Sequence, residues 1–430
     1  MVKPLSIAVA GLGTVGAETV RVLQSHADLI AERAGRPIVV TAVSARDPAL
    51  DRGIDMSGID WTVDAKTLAE RGDVDVVVEL IGGSDGIARE LVSRALANGK
   101  SVVTANKALV AHHGSELAKA AETAGVALGY ESAVAGGIPI IKSIREGLAA
   151  NRLQRVYGIL NGTCNYILTV MRETGRAFDD VLRDAQELGY AEADPSFDID
   201  GVDAAHKLAI LAAIAFGREV DFDAVHVEGI RHISPIDLEY AEQLGYRIKL
   251  LGIAEISDVG IQQRVHPCMV PVATPIAQVE GVFNAVVAEG DSVGPTLSYG
   301  RGAGAGPTAS AVIADLIDLA AGRTAPVFGL PASRLAKAET ASIDKLEGMY
   351  YIRLMVIDRP GVLADVTAIF RDHNVSVEAI LQRARDPDEA VPVVLTTHDT
   401  SEAAMRQSLA EIQRIEAVIE EPRMIRIESL

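Results

Sequence analysis

A short apolar run, Ser6-Ile7-Ala8-Val9-Ala10, passes directly into Gly11-Leu12-Gly13-Thr14-Val15-Gly16, and Val20, Val22 and Leu23 then recur at helical spacing. This succession of strand, glycine turn and helix constrains the fold more than any other part of the chain. The three glycines serve different ends, with the tight turn at Gly11, close backbone approach to a pyrophosphate at Gly13, and packing of helix against strand at Gly16. Unpaired amides and the helix dipole favour an anion at such a start. Gly11, Gly13, Thr14, Val15 and Gly16 are therefore expected to hold a dinucleotide. A glycine-rich turn without a ligand is the competing reading, and the flanking strand and helix weigh against it.

Further strands are expected at 38–43, 74–78 and 101–104, each preceded by a helical stretch, and that alternation predicts a parallel, doubly wound sheet. With 430 residues the chain is long enough for several domains. Residues 1–135, completed by a helix within 305–325, form the dinucleotide-binding domain. Residues 136–304 form a second domain with a mixed or antiparallel sheet, because 246–287 is rich in short β-branched runs. A linker over 326–348 leads to a compact βαββαβ unit over 349–430. A second glycine loop, Gly300-Arg301-Gly302-Ala303-Gly304-Ala305-Gly306-Pro307, opens an apolar helix with Pro307 in its first turn, where a missing N–H costs nothing.

Composition removes whole classes of function. The uncharged apolar run 208–216 falls well short of the roughly 20 residues that span a bilayer, so no membrane partner is expected. A net charge of −19 speaks against nucleic acid, which needs a basic face. Two cysteines in unrelated contexts, Cys164 and Cys268, fit a reducing compartment. An N-terminus without a secretory apolar segment points the same way, and the cytoplasm is the expected location.

After the second expected strand the chain reads Ser44-Ala45-Arg46-Asp47. This position decides between the nicotinamide cofactors: Arg46 suits a 2′-phosphate and Asp47 a ribose, so NADPH is expected over NADH. A solvated surface arginine is the alternative. The loop Thr104-Ala105-Asn106-Lys107 ends the fourth strand at the carboxyl edge where open α/β sheets bind ligands, and places Lys107 within reach of a cofactor and of a substrate carboxylate.

A second concentration of function begins at Gly189-Tyr190-Ala191-Glu192-Ala193-Asp194-Pro195 and continues through Asp198, Asp203 and Lys207. Asp203 and Lys207, four apart, share a helix face. On a surface such a pair is worth only a few tenths of a kcal/mol. Here the helix runs on through Leu208 to Phe216, apolar all round, so the charges enter a core. A lysine held there by an aspartate is placed to give a proton to a carbonyl oxygen that receives a hydride.

Together with Glu131-Ser132-Ala133-Val134-Ala135-Gly136-Gly137-Ile138-Pro139 and Asn161-Gly162-Thr163-Cys164-Asn165-Tyr166-Ile167-Leu168, these motifs resemble the homoserine dehydrogenases over essentially residues 5–430. The resemblance implies a Rossmann-type first domain, an α+β catalytic and dimerisation domain, and NAD(P)H-dependent, reversible reduction of L-aspartate 4-semialdehyde to L-homoserine on the route to threonine, methionine and isoleucine. It implies Lys207 as proton donor with Asp203 as its partner. Glu192 and Asp198, with Lys107, would bind substrate, Lys107 would also meet cofactor, and Gly306 would approach the nicotinamide. Glu131, with the carbonyls of Val134, Gly136 and Ile138, would hold a structural sodium ion; oxygen ligands suit a hard cation. A homodimer or homotetramer is implied as well. Cys164 stands where many relatives have threonine, and the stretch 27–37 lengthens the approach to Arg46.

The C-terminal unit, with Asp358-Arg359-Pro360-Gly361-Val362-Leu363-Ala364 and Asn374-Val375-Ser376-Val377-Glu378, resembles a ferredoxin-like ACT domain. That resemblance implies feedback inhibition by L-threonine, with Gly361 and Asn374 at the effector site, and a dimerisation module without ligand is the alternative. Deleting 349–430 is then expected to leave an active enzyme insensitive to threonine. Rival readings of the whole chain are a reductase for another amino-acid semialdehyde and an amino-acid sensor that retains nucleotide without turnover; the intact Asp203 and Lys207 argue against the sensor.

Overall fold

The computed structural model describes residues 2–382 and 390–430. The chain begins with β1 (Leu5–Ala10), α1 (Thr14–Ser25), α2 (Ala27–Ala34), β2 (Ile38–Ser44), β3 (Asp60–Thr62), β4 (Val76–Glu79), α3 (Ile87–Ala97), β5 (Ser101–Thr104), α4 (Lys107–Ala124) and β6 (Leu128–Gly129). The strands form one parallel sheet in the order β3-β2-β1-β4-β5-β6. Apolar residues fill most of β1 and β2, and valine is the commonest residue of β2 and β4, because helices cover both faces of the sheet. The edge strands β3 and β6, three and two residues long, have too little periodicity to be read from sequence.

The second domain contains α5 (Ile140–Lys142), β7 (Leu153–Ile159), α6 (Gly162–Thr174), α7 (Phe178–Glu187), α8 (Ser196–Ile199), α9 (Val202–Phe216), β8 (Val225–Val227), α10 (Pro235–Gln243), β9 (Tyr246–Ser257), β10 (Gly260–Pro271), β11 (Phe283–Gly290) and β12 (Gly294–Arg301). Antiparallel ladders join β12, β11, β7, β9 and β10. Helix α9 is buried from Asp203 through Ile214, as a helix apolar on every side must be. Helix α11 (Ala305–Ala320) then returns to the first domain. Its Val312, Ile313 and Leu316 complete a core with Ile7, Val9, Val20 and Leu23. By that route the second glycine loop comes to lie beside the first.

The C-terminal unit comprises β13 (Glu347–Ile357), α12 (Val362–Asp372), β14 (Val377–Gln382), β15 (Ala390–Thr397), the two-residue β16 (Thr400–Ser401), α13 (Glu402–Ile412) and β17 (Arg423–Ile427). It is not a separate bead. β17 pairs antiparallel with β13 on one side and parallel with β10 on the other, at Cys268↔Arg426 and Met269↔Ile427, so an eleven-stranded sheet runs through both domains. Charges are buried at this seam. Arg353 Nε lies 2.7 Å from Asp237 Oδ1, and Arg264 reaches Glu255 at 2.5 Å and Glu428 at 3.1 Å. The connecting stretch 326–348 is docked too: Phe328 is in the core, Tyr130 Oη donates to Val327 O at 2.7 Å, and Ile261 N donates to Glu339 O at 2.8 Å. Among the described residues no helix is long and apolar enough to cross a membrane.

Candidate active site

The first glycine loop is shaped by close approach. Gly11 has φ +96°, and a Cβ there would sit 2.5 Å from Leu80 O; a Cβ on Gly16 would overlap Gly11 O. Nothing stands near Gly13, the N-cap of α1, whose backbone is open to an approaching pyrophosphate. Arg46 is exposed on the loop after β2. A second guanidinium, unnoticed in the sequence, does touch the loop: Arg52 Nε donates to Leu12 O at 3.0 Å, and its Cζ lies 5.3 Å from the centroid of the Trp61 ring. A lone arginine in a loop carries no signal that would have singled it out.

Buried Glu79 ties two neighbouring loops together, accepting from Ile81 N at 2.7 Å, Gly82 N at 3.0 Å and Thr104 Oγ1 at 2.6 Å. Asn106 caps α4 through Leu109 N at 3.0 Å and donates to Gly83 O at 2.7 Å. Lys107, the first residue of α4, is thereby aimed across the domain boundary, with Nζ 3.2 Å from Asp203 Oδ1 and 5.4 Å from the Phe197 ring.

Asp203 is the centre of the arrangement. Lys207 Nζ donates to its Oδ2 at 2.7 Å and to Leu160 O at 2.8 Å. Asn161 Nδ2 donates to Asp203 Oδ2 and to Asp198 Oδ1, both at 2.8 Å, while Asn161 Oδ1 caps α6 through Cys164 N at 2.8 Å. Within its motif Asn161 has no role that spacing alone assigns; only the fold reveals that it joins the two carboxylates. Burial works against the charge of Asp203, yet Lys207, Lys107 and the Asn161 amide outweigh it and hold its pKa well below the usual carboxylate range. Asp198 goes the other way, raised by burial and by the neighbouring charge of Asp203. The Cys164 thiol is pushed up by burial, so it is no nucleophile. A lysine ammonium has three N–H groups. Lys207 spends two on the protein, and the residue lines a cavity of about 560 Å³.

The same cavity is lined by Val15 of the first glycine loop and by Gly302, Gly304 and Thr308 of the second. The two glycine loops and the acid–lysine cluster therefore open on one space. Another cavity, of about 570 Å³, lies at the opposite edge of the parallel sheet beside Lys3 and Asp75; it holds no comparable buried cluster.

Other expected residues stand further out. Glu192 is exposed on the loop before α8, where its carbonyl accepts from Gln186 at 3.0 Å, and the structure does not bring its carboxylate to Asp203 or Lys207. Gly306 has open space around it and stands in the chain between Gly304 and Thr308, which line the cavity. Glu131 is buried and accepts from Ile141 N and Lys142 N, both at 2.9 Å; burial and then Asp315 push its pKa up to about 7. The turn after it holds Ala135 and Gly136 at φ 54° and 46°. Among the described residues no amide bonds the carbonyls of Val134 or Gly136, whereas Ile138 O accepts from Ile140 N at 2.7 Å. No cluster of three or more His, Cys, Asp or Glu side chains among the described residues is arranged for a metal. Gly361 (φ 100°) caps α12, and exposed Asn374 (φ 58°) follows that helix.

With this geometry in view, the comparisons with known proteins are specific. Family models described as "Homoserine dehydrogenase, NAD binding domain", "Homoserine dehydrogenase" and "ACT domain" match residues 11–131, 139–317 and 350–417. A homoserine dehydrogenase of Pseudomonas aeruginosa is 47% identical, with both chains fully covered. The crystal structure of a homoserine dehydrogenase from Thiobacillus denitrificans superposes with a TM-score of 0.93 at 48% identity, over 99% of this chain and 98% of that one. A hyperthermophilic archaeal homoserine dehydrogenase, solved in complex with NADPH, matches 74% of this chain and 97% of its own at 28% identity and a TM-score of 0.62.

Proposed function

The chain belongs to the homoserine dehydrogenase family, and on that premise we propose that it reduces L-aspartate 4-semialdehyde to L-homoserine, reversibly and with NADPH in preference to NADH. One observation carries the reading. Lys207 keeps one N–H for a ligand in the cavity that the cofactor loop also lines.

A bound nicotinamide supplies the hydride. The residues of the chain do the rest. Lys207 Nζ gives its proton to the aldehyde oxygen as negative charge develops there, and takes the hydroxyl proton in the reverse direction. Asp203, held anionic, does not compete for that proton; it orients Lys207 and shares its other oxygen with Lys107. Lys107 faces the substrate carboxylate, and Asp198 with Glu192 faces the ammonium. Asn161 keeps the two aspartates at a fixed separation. Around the cofactor, Gly11, Gly13, Thr14, Val15 and Gly16 take the pyrophosphate, Arg46 the 2′-phosphate, and Gly306 the neighbourhood of the nicotinamide. The archaeal relative solved with NADPH supports that preference. Sodium falls to Glu131, Val134, Gly136 and Ile138, where two unpartnered carbonyls support it.

The reaction belongs on the route to threonine, methionine and isoleucine, in the cytoplasm, in a homodimer or homotetramer. L-Threonine acts as feedback inhibitor at the ACT domain through Gly361 and Asn374, because an amino-acid-binding module on an amino-acid-producing enzyme needs only to favour one of two states. The test is a steady-state assay of aspartate semialdehyde with each nicotinamide, with and without threonine. Turnover faster with NADPH and lowered by threonine is expected. Absence of semialdehyde-dependent NADPH oxidation would sink the substrate assignment, and indifference to threonine would sink the regulatory one.

A further inference from the structure

We infer that Arg426, at the end of the ACT domain, is a positioning residue for the reduction, acting through Glu228 on the turn that carries Asp198 and Asp203. The inference rests on the proposed roles of those two aspartates. Arg426 is buried between the domains. Its Nη1 and Nη2 reach Glu228 Oε2 and Oε1 of the catalytic domain at 2.9 and 2.8 Å, and its Nε and Nη2 reach Glu402 Oε2 and Oε1 of α13 at 2.9 and 2.5 Å. Arg406 closes the square, 2.9 Å from Glu402 and 3.5 Å from Glu228, and His226 adds a contact of 2.7 Å. Two guanidiniums face two carboxylates, a matched set that fixes Glu228 in place. Burial works against Glu228, but the bonds from Arg426 and His226 outweigh it and keep it charged.

Beyond its side chain, Glu228 belongs to a segment with no slack against the catalytic turn. Glu228 N donates to Val265 O at 2.7 Å and Ile230 N to Ile199 O at 2.9 Å. A Cβ on Gly229 would overlap Ile199 O, and one on Gly201 would sit 3.4 Å from Glu228 O. Gly201, at φ +87°, is the N-cap of α9, two residues before Asp203, and its amide donates to Asp198 O at 3.0 Å. A shift of Glu228 is thus transmitted to both aspartates at once. The other buried pairs of the seam, Arg353–Asp237 and Arg264–Glu428, join the domains without touching this turn.

The full-length Glu228→Gln enzyme tests this. KM for aspartate semialdehyde is expected to rise about tenfold and kcat to fall about tenfold, while the dissociation constant for NADPH stays within about twofold, since Asp198 meets the substrate, Asp203 orients the proton donor and small misplacements at a site cost rate steeply. Arg426→Gln should do the same, and the double variant no more than either single one, because the residues act as one unit. A semialdehyde KM within about twofold of the parent in both variants, or NADPH binding weakened as much as KM, overturns the inference. Should Glu228→Gln not fold, Glu228→Asp keeps the charge and shortens the reach; about a threefold rise in KM is then expected, and an unchanged KM counts against the inference. Lys207→Ala with full turnover would instead remove the catalytic reading itself, so the two failures are distinguishable.

Discussion

Asp203 and Asp237 are both buried carboxylates on helices of the catalytic domain, and they face opposite fates. Asp237 accepts from Arg353 Nε at 2.7 Å and Tyr351 Oη at 3.1 Å across the seam to the C-terminal domain, and from Ser234 N and Oγ at 3.1 and 2.5 Å in the capping box of α10. Every acceptor site is spent on the fold, with a planar guanidinium as the fixed partner. Asp203 is instead shared by two lysines and an amide beside a cavity. Lysines are point charges with three donors each, so their spare hydrogens turn toward whatever fills the cavity. A buried ion pair is therefore no mark of function by itself. The unspent donor next to open space is.

That contrast can be broken in several places. Removing 349–430 strips partners from Asp237, Glu228 and Arg264 together and bares the edge of β10. The expected outcome is an insoluble or inactive chain, not the active, desensitised enzyme that the sequence suggests, because uncovered strand edges and unpaired buried charges both promote aggregation. Solubility and turnover of the truncated chain decide, and a soluble, fully active product would contradict the seam. Lys207→Ala is expected to lose turnover by on the order of 10³-fold while binding NADPH normally by fluorescence titration. Arg264→Met leaves Glu255 and Glu428 uncompensated and should cost roughly 3–5 kcal/mol of stability, seen in the thermal midpoint, with kcat little changed. Arg46→Ala should lower kcat/KM for NADPH about tenfold and leave NADH unaffected, the scale of one lost bond to a charged group.

The smallest effect concerns pH. His206, beside Lys207 on α9, is buried with His112 at 3.2 Å, and burial and then His112 lower its pKa to about 4. Between about 4 and the ordinary value of 6.5 such a base is neutral in the fold and charged in the unfolded chain; above 6.5 it is neutral in both, and stability is complete. It is lost as pH falls from there toward 4, at no more than about 1.4 kcal/mol per pH unit. His206→Gln should flatten the fall in thermal midpoint across that window, and an unchanged slope would show that His206 does not carry it.

What the sequence disclosed follows the same physics. The glycine loop was legible because its constraints are local, three glycines at fixed spacing between a strand and a helix. Asp203 and Lys207 were legible because four residues separate them and nine apolar residues follow. Asn161, Arg52 and the pairing of β10 with β17 were not, since each depends on residues 37 or more positions away meeting in space. Glu192 stands exposed on its loop, and no pattern of neighbours specifies which way its carboxylate turns.

The most direct measurement sets kcat and thermal midpoint side by side for Asp203→Asn and Asp237→Asn. At Asp203, kcat measured where the protein is folded is expected to fall about a hundredfold or more, beyond whatever midpoint is lost by leaving two lysines without their carboxylate. At Asp237 a large fall in midpoint is expected, with kcat, at a temperature where the protein is folded, within about twofold. An Asp203→Asn enzyme that turns over normally, or an Asp237→Asn enzyme that stays stable and loses turnover, would contradict this division of roles.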